Sequence, residues 1–210
     1  MKKFVPLFVA LFPVILFSCS LGNSRSSNSV VLDGKITSSD EWAVTDAFDI
    51  SLDIACCWPD KHVVKNAAVM TVWFKNDDTW LYMLYKIAWP PSEIDSNDIA
   101  FIEIFIGPYG PPWAESDQGC LSFGGQTWDV YGWDDTRWYA DTDAGGQNDV
   151  EGAASYDGAF YWFEFRKRLN SGDGYDWTLL PAQTVSLMGG LWDDSIVKAY
   201  EQSFLVQLSE

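Results

Sequence analysis

The sequence has little that metal or nucleophilic chemistry could use. It contains one histidine, His62, and four cysteines among 210 residues. A single histidine argues against a histidine-rich metal site and leaves little for Ser-His-Asp catalysis. No haem-attachment Cys-x-x-Cys-His, phosphate-binding loop, nucleophile elbow or zinc motif occurs. Carboxylates are plentiful, for example Asp134-Asp135 and Glu164, but no pattern gives two of them contrasting surroundings, so an enzyme is the least supported class.

Basic residues are also scarce. Thirteen Lys and Arg stand against thirty Asp and Glu, which gives a formal charge of −17. This balance excludes nucleic acid and anionic membrane surfaces as natural partners. The acids are spread through turn segments, which favours a solubilising surface. The alternative is calcium binding, for which Asp134-Asp135 and Asp193-Asp194 could supply oxygen ligands.

No apolar run is long enough to cross a bilayer as a helix, which needs about 20 residues. The longest, residues 4–17, follows Lys2 and Lys3 and is typical of a signal peptide. It ends in Leu16-Phe17-Ser18-Cys19, which resembles a lipobox with Phe17 in place of the usual small residue. The resemblance implies that Cys19 is lipidated and anchored by its acyl chains. The alternative is an ordinary secretory signal with a chance cysteine.

The chain therefore divides into three predicted parts. Residues 1–18 are the signal peptide, residues 19–30 a lipid-anchored Ser/Asn-rich flexible tether, and residues 31–210 one globular domain. We expect it in the cell envelope, on the periplasmic or outer-surface side. Cys56, Cys57 and Cys120 lie in the domain. A Cys56–Cys57 bond would be strained, so a disulfide of either with Cys120 is the reasonable pairing in an oxidising compartment.

Strand-type runs dominate the domain, and helix signals are few. Residues 67–75 and 79–88 flank Asn76-Asp77-Asp78, which predicts a hairpin. The other predicted strands are residues 99–106, 128–133, 137–140, 159–166, 184–192 and 203–208, and the predicted loops are 107–112, 144–152 and 170–176. This pattern predicts an all-β, antiparallel β-sandwich with few short helices. Most of the twelve tryptophans should fill its core, although such a number also suits a flat ligand, a sugar face or a porphyrin.

Two segments resemble a known group of sandwiches. Residues 31–36 (Val-Leu-Asp-Gly-Lys-Ile) followed by Asp40-Glu41-Trp42 are similar to the start of family 9 carbohydrate-binding modules and of the haem-binding gamma subunits of ethylbenzene and dimethylsulfide dehydrogenases. In this pattern Asp-Gly makes a turn, and the Trp is expected to pack into the sandwich. Residues 157–169, with Glu164-Phe165 and Arg166, look like the dehydrogenase-type strand before a Gly-Asp turn.

The resemblance continues through most of residues 31–208. Its other parts are residues 82–90, 98–100, 128–133 and 184–195, with Cys120 in the position of the family's cysteine loop. It implies a DOMON-like, immunoglobulin-like sandwich that binds a b-type haem between its sheets. In the family, a Met and a Lys, or a His in some relatives, bind the iron, and electrons pass to a redox partner protein.

Only some of the family's haem-ligand positions have a matching residue in this sequence. Lys198 falls at the position of the family's Lys ligand, whereas Ile102 stands near that of its Met. Met188 and Met83 are then the candidate thioether ligands, and Met188 is followed by Gly189-Gly190, which would leave room for a ligand. For each of them, core packing is the alternative, as it is for Met70, and His62 would ordinarily be a solvated loop residue.

The resemblance thus predicts an exported lipoprotein with a haem-binding, electron-transfer domain that is not itself a catalyst. The alternative is a non-enzymatic module that binds carbohydrate or another ligand on exposed aromatic rings, with acids at their edges. Its candidate platform residues are Trp113, Trp128, Trp133 and Trp138, which lie in or near loop-rich stretches. A scaffold that has lost its ligand is a further alternative.

Overall fold

The computed structural model describes residues 30–42, 47–56, 62–88, 94–105, 117–134, 137–192 and 197–209. Within the strands, the side chains of residues 53–56, 62–67, 105, 133–134, 137–138 and 197–204 are not described. Cys19 and the predicted signal peptide lie outside these ranges. Among the residues described, no helix is long and apolar enough to cross a membrane.

Eleven strands and one short helix make up the described chain. The strands are β1 Ala47–Cys56, β2 His62–Asn76, β3 Trp80–Ile87, β4 Ile99–Phe105, β5 Asp117–Ser122, β6 Thr127–Asp134, β7 Arg137–Ala140, β8 Val150–Tyr156, β9 Tyr161–Arg168, β10 Thr184–Trp192 and β11 Val197–Gln207. The helix, α1, is Asp141–Ala144, between β7 and β8. The predicted all-β architecture with few helices is confirmed.

The strands are antiparallel, and their hydrogen bonds follow the order β7-β6-β5-β4-β10-β11-β1-β2-β3-β9-β8. The two ends of this order face each other, because β5 contacts β8 and β9, and β6 contacts β8. The result is a two-layered sandwich. β4 to β7 and β10 belong to one layer, and β2, β3, β8 and β9 belong to the other.

Side-chain alternation along the strands fills the space between the layers. In β9, Tyr161, Phe163 and Phe165 are buried in the core, and the residues between them face outwards. In β3, Tyr85 is fully buried, and its hydroxyl donates a 3.1 Å hydrogen bond to the Phe101 carbonyl of the opposite layer. This hydroxyl fills the space above Gly189, where a Cβ atom would lie 2.8 Å from it.

The segment 30–42 covers the outer face of β3 and β9. Trp42 is 4 % exposed and packs with Val30, Tyr82 and Leu84 in a small cluster separate from the main core. The tryptophan expected inside the sandwich therefore packs on its outside. The outer face offers a second apolar surface because Tyr82 and Leu84 alternate with core residues along β3.

A buried carboxylate holds this segment in place. Glu164 is 0 % exposed, and its Oε2 accepts hydrogen bonds from the amides of Asp33 and Gly34 at 3.0 and 3.1 Å. The Trp42 Nε1 donates to Oε1 at 3.0 Å. Burial raises the pKa of Glu164 to about 7, against the opposing effect of these donors. Glu164 thus joins the outer segment to the sheet through both of its oxygens.

Several strands follow the sequence-based prediction closely. The hairpin around residues 76–78 is present as β2 and β3, and β7 and β10 have the predicted bounds. The loop predicted over residues 144–152 is partly wrong, since α1 ends at Ala144 and β8 begins at Val150. β1, β5 and β8 were not predicted. β5 and β8 are poor in β-branched and aromatic residues. β5 pairs with β4 and β6, and β8 pairs with β9.

We expect Gly152→Ala to destabilise the protein by about 1–3 kcal/mol, the usual cost of overpacking. A Cβ atom there would lie 2.7 Å from Phe165 Cβ and 3.0 Å from Leu121 Cδ2, in the opposite layer. Urea unfolding measures the change. Gly174→Ala is the control, because its Cβ would meet nothing within 4 Å. Equal stability of the two variants would contradict the close approach of the layers at Gly152.

Glu164→Gln should loosen the segment 30–42, because an amide nitrogen then replaces one of the two accepting oxygens. Leaving buried donors without an acceptor costs about 1–3 kcal/mol. Hydrogen exchange at the Asp33 and Gly34 amides should become faster, while exchange in β10 stays unchanged. The control is Glu151→Gln, an exposed residue bound to Arg166. Unchanged protection of both amides in Glu164→Gln would show that the carboxylate does not hold the segment.

Candidate functional site

Acidic and tyrosine side chains share one face of β5, β6 and β7. Asp117 pairs with Tyr131 in the ladder of β5 and β6, and Tyr131 pairs with Tyr139 of β7. Asp129 lies two residues before Tyr131 in β6, so both side chains point to the same side of the strand. That face is turned towards β9, whose Lys167 points inwards like Phe163 and Phe165. These residues meet the segment 170–177, which follows β9, at one end of the sandwich.

Lys167 is a buried cation with three carboxylate neighbours. Its Nζ donates to Asp129 Oδ1 and to Asp176 Oδ1, both at 2.5 Å, and lies 3.0 Å from Asp117 Oδ1. Its side chain is 1 % exposed. Burial alone would lower the pKa of Lys167, but the three carboxylates raise it above its usual value. Lys167 is therefore a charged ammonium whose three protons all have acceptors close by.

The carboxylic acids around Lys167 have raised pKa values. Burial raises the pKa of Asp117 to about 7 and that of Asp129 to about 6, despite the attraction of Lys167. Burial and the neighbouring acids raise the pKa of Asp141 to about 8. The single positive charge of Lys167 is thus surrounded by more carboxylates than it can neutralise. Such perturbed groups are typical of functional sites, although structural ion pairs produce them as well.

A second group of acids adjoins the first. Asp141 begins α1, and one carboxylate oxygen from each of Asp141, Asp173 and Asp176 lies within 4.8 Å of the others. Asp173 accepts a 3.0 Å hydrogen bond from the Tyr175 amide on Oδ1 and another from the Gln147 amide on Oδ2. Asp176 belongs to both groups, since its Oδ1 accepts from Lys167.

Three tyrosines form a shelf beside these acids, which we call the tyrosine shelf (Tyr131, Tyr139 and Tyr175). The Tyr131 ring centroid lies 5.8 Å from that of Tyr139 and 4.9 Å from that of Tyr175. Tyr139 is 37 % exposed, and the Tyr175 hydroxyl donates to the Ala144 carbonyl of α1 at 2.9 Å. Aromatic faces next to carboxylate acceptors suit a polyhydroxylated ligand, whose C–H groups stack and whose hydroxyls donate.

A different aromatic surface lies on the outside of β2, β3 and β9. The rings of Trp73 and Trp162 stack there with centroids 6.3 Å apart, and the Lys86 Nζ lies 3.8 Å from the Phe160 ring centroid. Trp73 and Trp162 pack against the cluster that contains Trp42. The segment 30–42 therefore occupies part of this surface.

The structure places the predicted haem ligands apart. Met83 is fully buried in the core between the layers. Met188 is buried on the other face of β10, since its neighbour Leu187 points into the core and Met188 alternates with it. Lys198 lies in β11 opposite Trp192, and its side chain is not described. Met83 and Met188, the two alternative thioether candidates, therefore lie on different faces of the sandwich layers, and the room expected beside Gly189 is taken by Tyr85.

The predicted tryptophan platform is only partly visible. Trp113 lies outside the described residues, and the side chains of Trp133 and Trp138 in β6 and β7 are not described. Trp128 is half-buried in β6 and alternates with Asp129, so it faces away from the tyrosine shelf. Among the described side chains, the aromatic residues beside Asp141 and Asp173 are Tyr131 and Tyr175.

Cys120 is a free thiol in β5. The predicted pairing with Cys56 or Cys57 is therefore wrong. β1, which contains Cys56, is separated from β5 by β11, β10 and β4 in the sheet. Burial raises the pKa of Cys120 to about 12, so the thiol stays protonated near neutral pH.

The acid cluster was missed by sequence reasoning. Its one available signal is the alternation of β9, in which Tyr161, Phe163 and Phe165 face the core and Lys167 follows in the same phase. A lysine at a core position requires buried carboxylate partners. Which of the many acids these are depends on the pairing of β5 with β6, which no local pattern shows.

Comparison with known proteins identifies the fold class. Two solved structures of a family 9 carbohydrate-binding module from Caldicellulosiruptor kristjanssonii, one in complex with glucose and one with cellotriose, are similar to this chain. The similarity covers 87 % of this chain and 92 % and 90 % of the module, with a TM-score of 0.52 and identities of 10 % and 12 %. No protein-family model and no curated protein matches the sequence. The chain therefore has the antiparallel sandwich fold of these modules.

Lys167→Met should destabilise the protein by about 3–5 kcal/mol, because it leaves buried carboxylates without their cation. Urea unfolding near neutral pH measures the loss. Lys35→Met is the matched control, since Lys35 is 59 % exposed and lies 3.9 Å from Asp33. An exposed pair of this kind contributes at most about 1 kcal/mol. If Lys167→Met were as stable as the control variant, the acids would not depend on this ammonium.

Proposed function

We propose that this protein is an exported, lipid-anchored and non-catalytic carbohydrate-binding module of the cell envelope. The observation that carries the proposal is the tyrosine shelf, in which three contacting rings lie beside the carboxylates of Asp141 and Asp173. The sandwich fold, which is that of a module solved with glucose and with cellotriose, supports the same class of ligand.

The chemistry of the shelf suits a saccharide better than a charged or wholly apolar ligand. Phenol rings offer apolar faces for the C–H surface of a sugar ring, while their hydroxyls can accept hydrogen bonds from sugar hydroxyls. The surrounding acids would repel an anionic ligand. The saccharide we propose is therefore neutral.

Anchoring is proposed from the sequence alone, from the signal peptide and the lipobox that ends at Cys19. The described chain is compatible with such an attachment. The segment that follows the tether docks on the outer face of β3 and β9 through Glu164, whereas the tyrosine shelf lies on the inner face of β6 and β7. The docked segment thus leaves the shelf uncovered.

The test is a glycan array probed with the full chain in detergent micelles, followed by calorimetry with the saccharides that bind. Glucose and cellotriose are the first probes. Tyr139→Ala should weaken binding by about tenfold or more, the equivalent of about 1.4 kcal/mol, because it removes the most exposed ring of the shelf.

Tyr156→Ala is a close control. Tyr156 is also 37 % exposed, but it stacks on Tyr161 at the turn between β8 and β9, away from the shelf acids. Equal loss of affinity in both variants would contradict a site on the shelf. Absence of saccharide binding, together with a one-to-one six-coordinate hemin spectrum that Lys198→Ala abolishes, would replace this proposal with the haem-binding function that the sequence resemblance implies.

A further inference from the structure

The two acid groups at the end of the sandwich differ in how their charge is compensated. Asp117, Asp129 and Asp176 surround the Lys167 ammonium, which occupies the position a metal ion would take among them. Asp141 and Asp173 have no cationic side chain of this kind within the part of the chain that the structure describes. The second group therefore contains two carboxylates, those of Asp141 and Asp173, that form no ion pair with Lys167.

Asp141 is the most exceptional of these residues. It is 1 % exposed, and among the described residues neither Oδ1 nor Oδ2 has a hydrogen-bond partner. A buried carboxylate with both oxygens unpartnered is costly, and proteins normally avoid it. One of its oxygens lies within 4.8 Å of a carboxylate oxygen of Asp173 and of one of Asp176. When all three are ionised, these carboxylates repel one another unless a cation lies between them.

Asp176 contributes another unpartnered atom to the same place. Its Oδ1 accepts from Lys167, but its Oδ2 is buried without a hydrogen-bond partner in the described chain. Asp173 is fixed in position because each of its oxygens accepts from a backbone amide, that of Tyr175 or that of Gln147. Three carboxylates from α1 and the segment after β9 thus converge, and three of their oxygens have no partner.

We propose that Asp141, Asp173 and Asp176 bind a hard divalent cation, for which Ca²⁺ is the best match. The donors are oxygens only, without the nitrogen or sulfur ligands that zinc prefers. Ca²⁺ accepts six to eight oxygen ligands in flexible geometry, so water can complete the three carboxylates. Mg²⁺ demands stricter octahedral geometry and gives up its water reluctantly. This cation site does not depend on saccharide binding.

Such a cation would connect elements that the strands do not join. Asp141 begins α1, and Asp173 holds the amide of Tyr175, a member of the tyrosine shelf. The ion would therefore tie α1 to the segment after β9 and hold Tyr175 beside Tyr131 and Tyr139. Ca²⁺ should raise the midpoint of thermal unfolding, because a ligand that binds only the folded state stabilises it by mass action.

The experiment is calorimetric titration of the chelator-treated full chain with CaCl₂, with MgCl₂ as the comparison ion. We expect one Ca²⁺ per chain and weaker binding of Mg²⁺. Asp141→Asn keeps the shape but removes a ligand charge, and should weaken Ca²⁺ binding by at least about tenfold, since ligand charge sets affinity. Asp143→Asn is the control, an exposed aspartate on the same helix, and should bind Ca²⁺ as the native chain does.

Tb³⁺ luminescence supplies a reading that does not depend on the stability of a variant. The Tyr175 amide donates to Asp173, and Tyr131 lies near enough to Asp141 to interact with its charge. Sensitised Tb³⁺ emission should therefore appear in the native chain and be displaced by Ca²⁺. Absence of both Ca²⁺ binding and Tb³⁺ emission in the native chain would overturn the proposal. It would also be overturned if a folded Asp141→Asn chain bound Ca²⁺ as tightly as the native one.

Discussion

The ammonium of Lys167 is the interaction around which the functional end of the sandwich is arranged. It reaches from a core position of β9 to acids on β5, β6 and the segment after β9, and so connects the two layers where apolar side chains give way to polar ones. A buried ion pair of this kind contributes less stability than apolar side chains of the same volume would. Its importance lies in the positions it imposes, because the acids must lie where the ammonium can reach them.

The positions of the acids around Lys167 determine which other side chains lie beside them. Asp117 pairs with Tyr131, which pairs with Tyr139, and Asp129 lies two residues before Tyr131, so the face that supplies the carboxylates also supplies the rings. Asp176 turns one oxygen to Lys167 and leaves the other near Asp141. The proposed saccharide platform and the proposed cation site are therefore neighbours for a structural reason. Both sites use side chains that border the acids around Lys167.

The outer face of the opposite layer, formed by β2, β3 and β9, is partly covered by the chain itself. Its tryptophans suggest a binding surface as strongly as the tyrosines do, but the chain itself occupies part of it through Trp42 and Glu164. The Asp-Gly turn and the Glu-Trp pair that carry the sequence resemblance are thus parts of one docked segment. Its place on the outside, instead of in the core, could not be read from the pattern, because an indole packs equally well on either side of a sheet with two apolar faces.

The strands that sequence reasoning found are those with strong local signals. β3, β4 and β9 are rich in aromatic and β-branched residues, and the turn at residues 76–78 defines a hairpin. β8 has no such signal, since its strand conformation depends on pairing with β9. For the site, the composition favoured a tryptophan platform, whereas the site proposed from the structure is built of tyrosines. The candidate haem ligands Met83 and Met188 were alternatives chosen by residue type, and the structure places Met83 in the core and Met188 on the other face of β10.

The sequence by itself determined the strand periodicity, the acidic surface, the predicted export signal and the sandwich class, because each depends on composition or on neighbours along the chain. The tertiary structure decided which acids surround Lys167, which rings form the shelf and which aromatic face the segment 30–42 covers. These outcomes depend on the register of strands far apart in sequence. Shifting a strand by one residue turns every side chain to the other face, and no local pattern specifies that choice for residues such as Asp117 and Asp129.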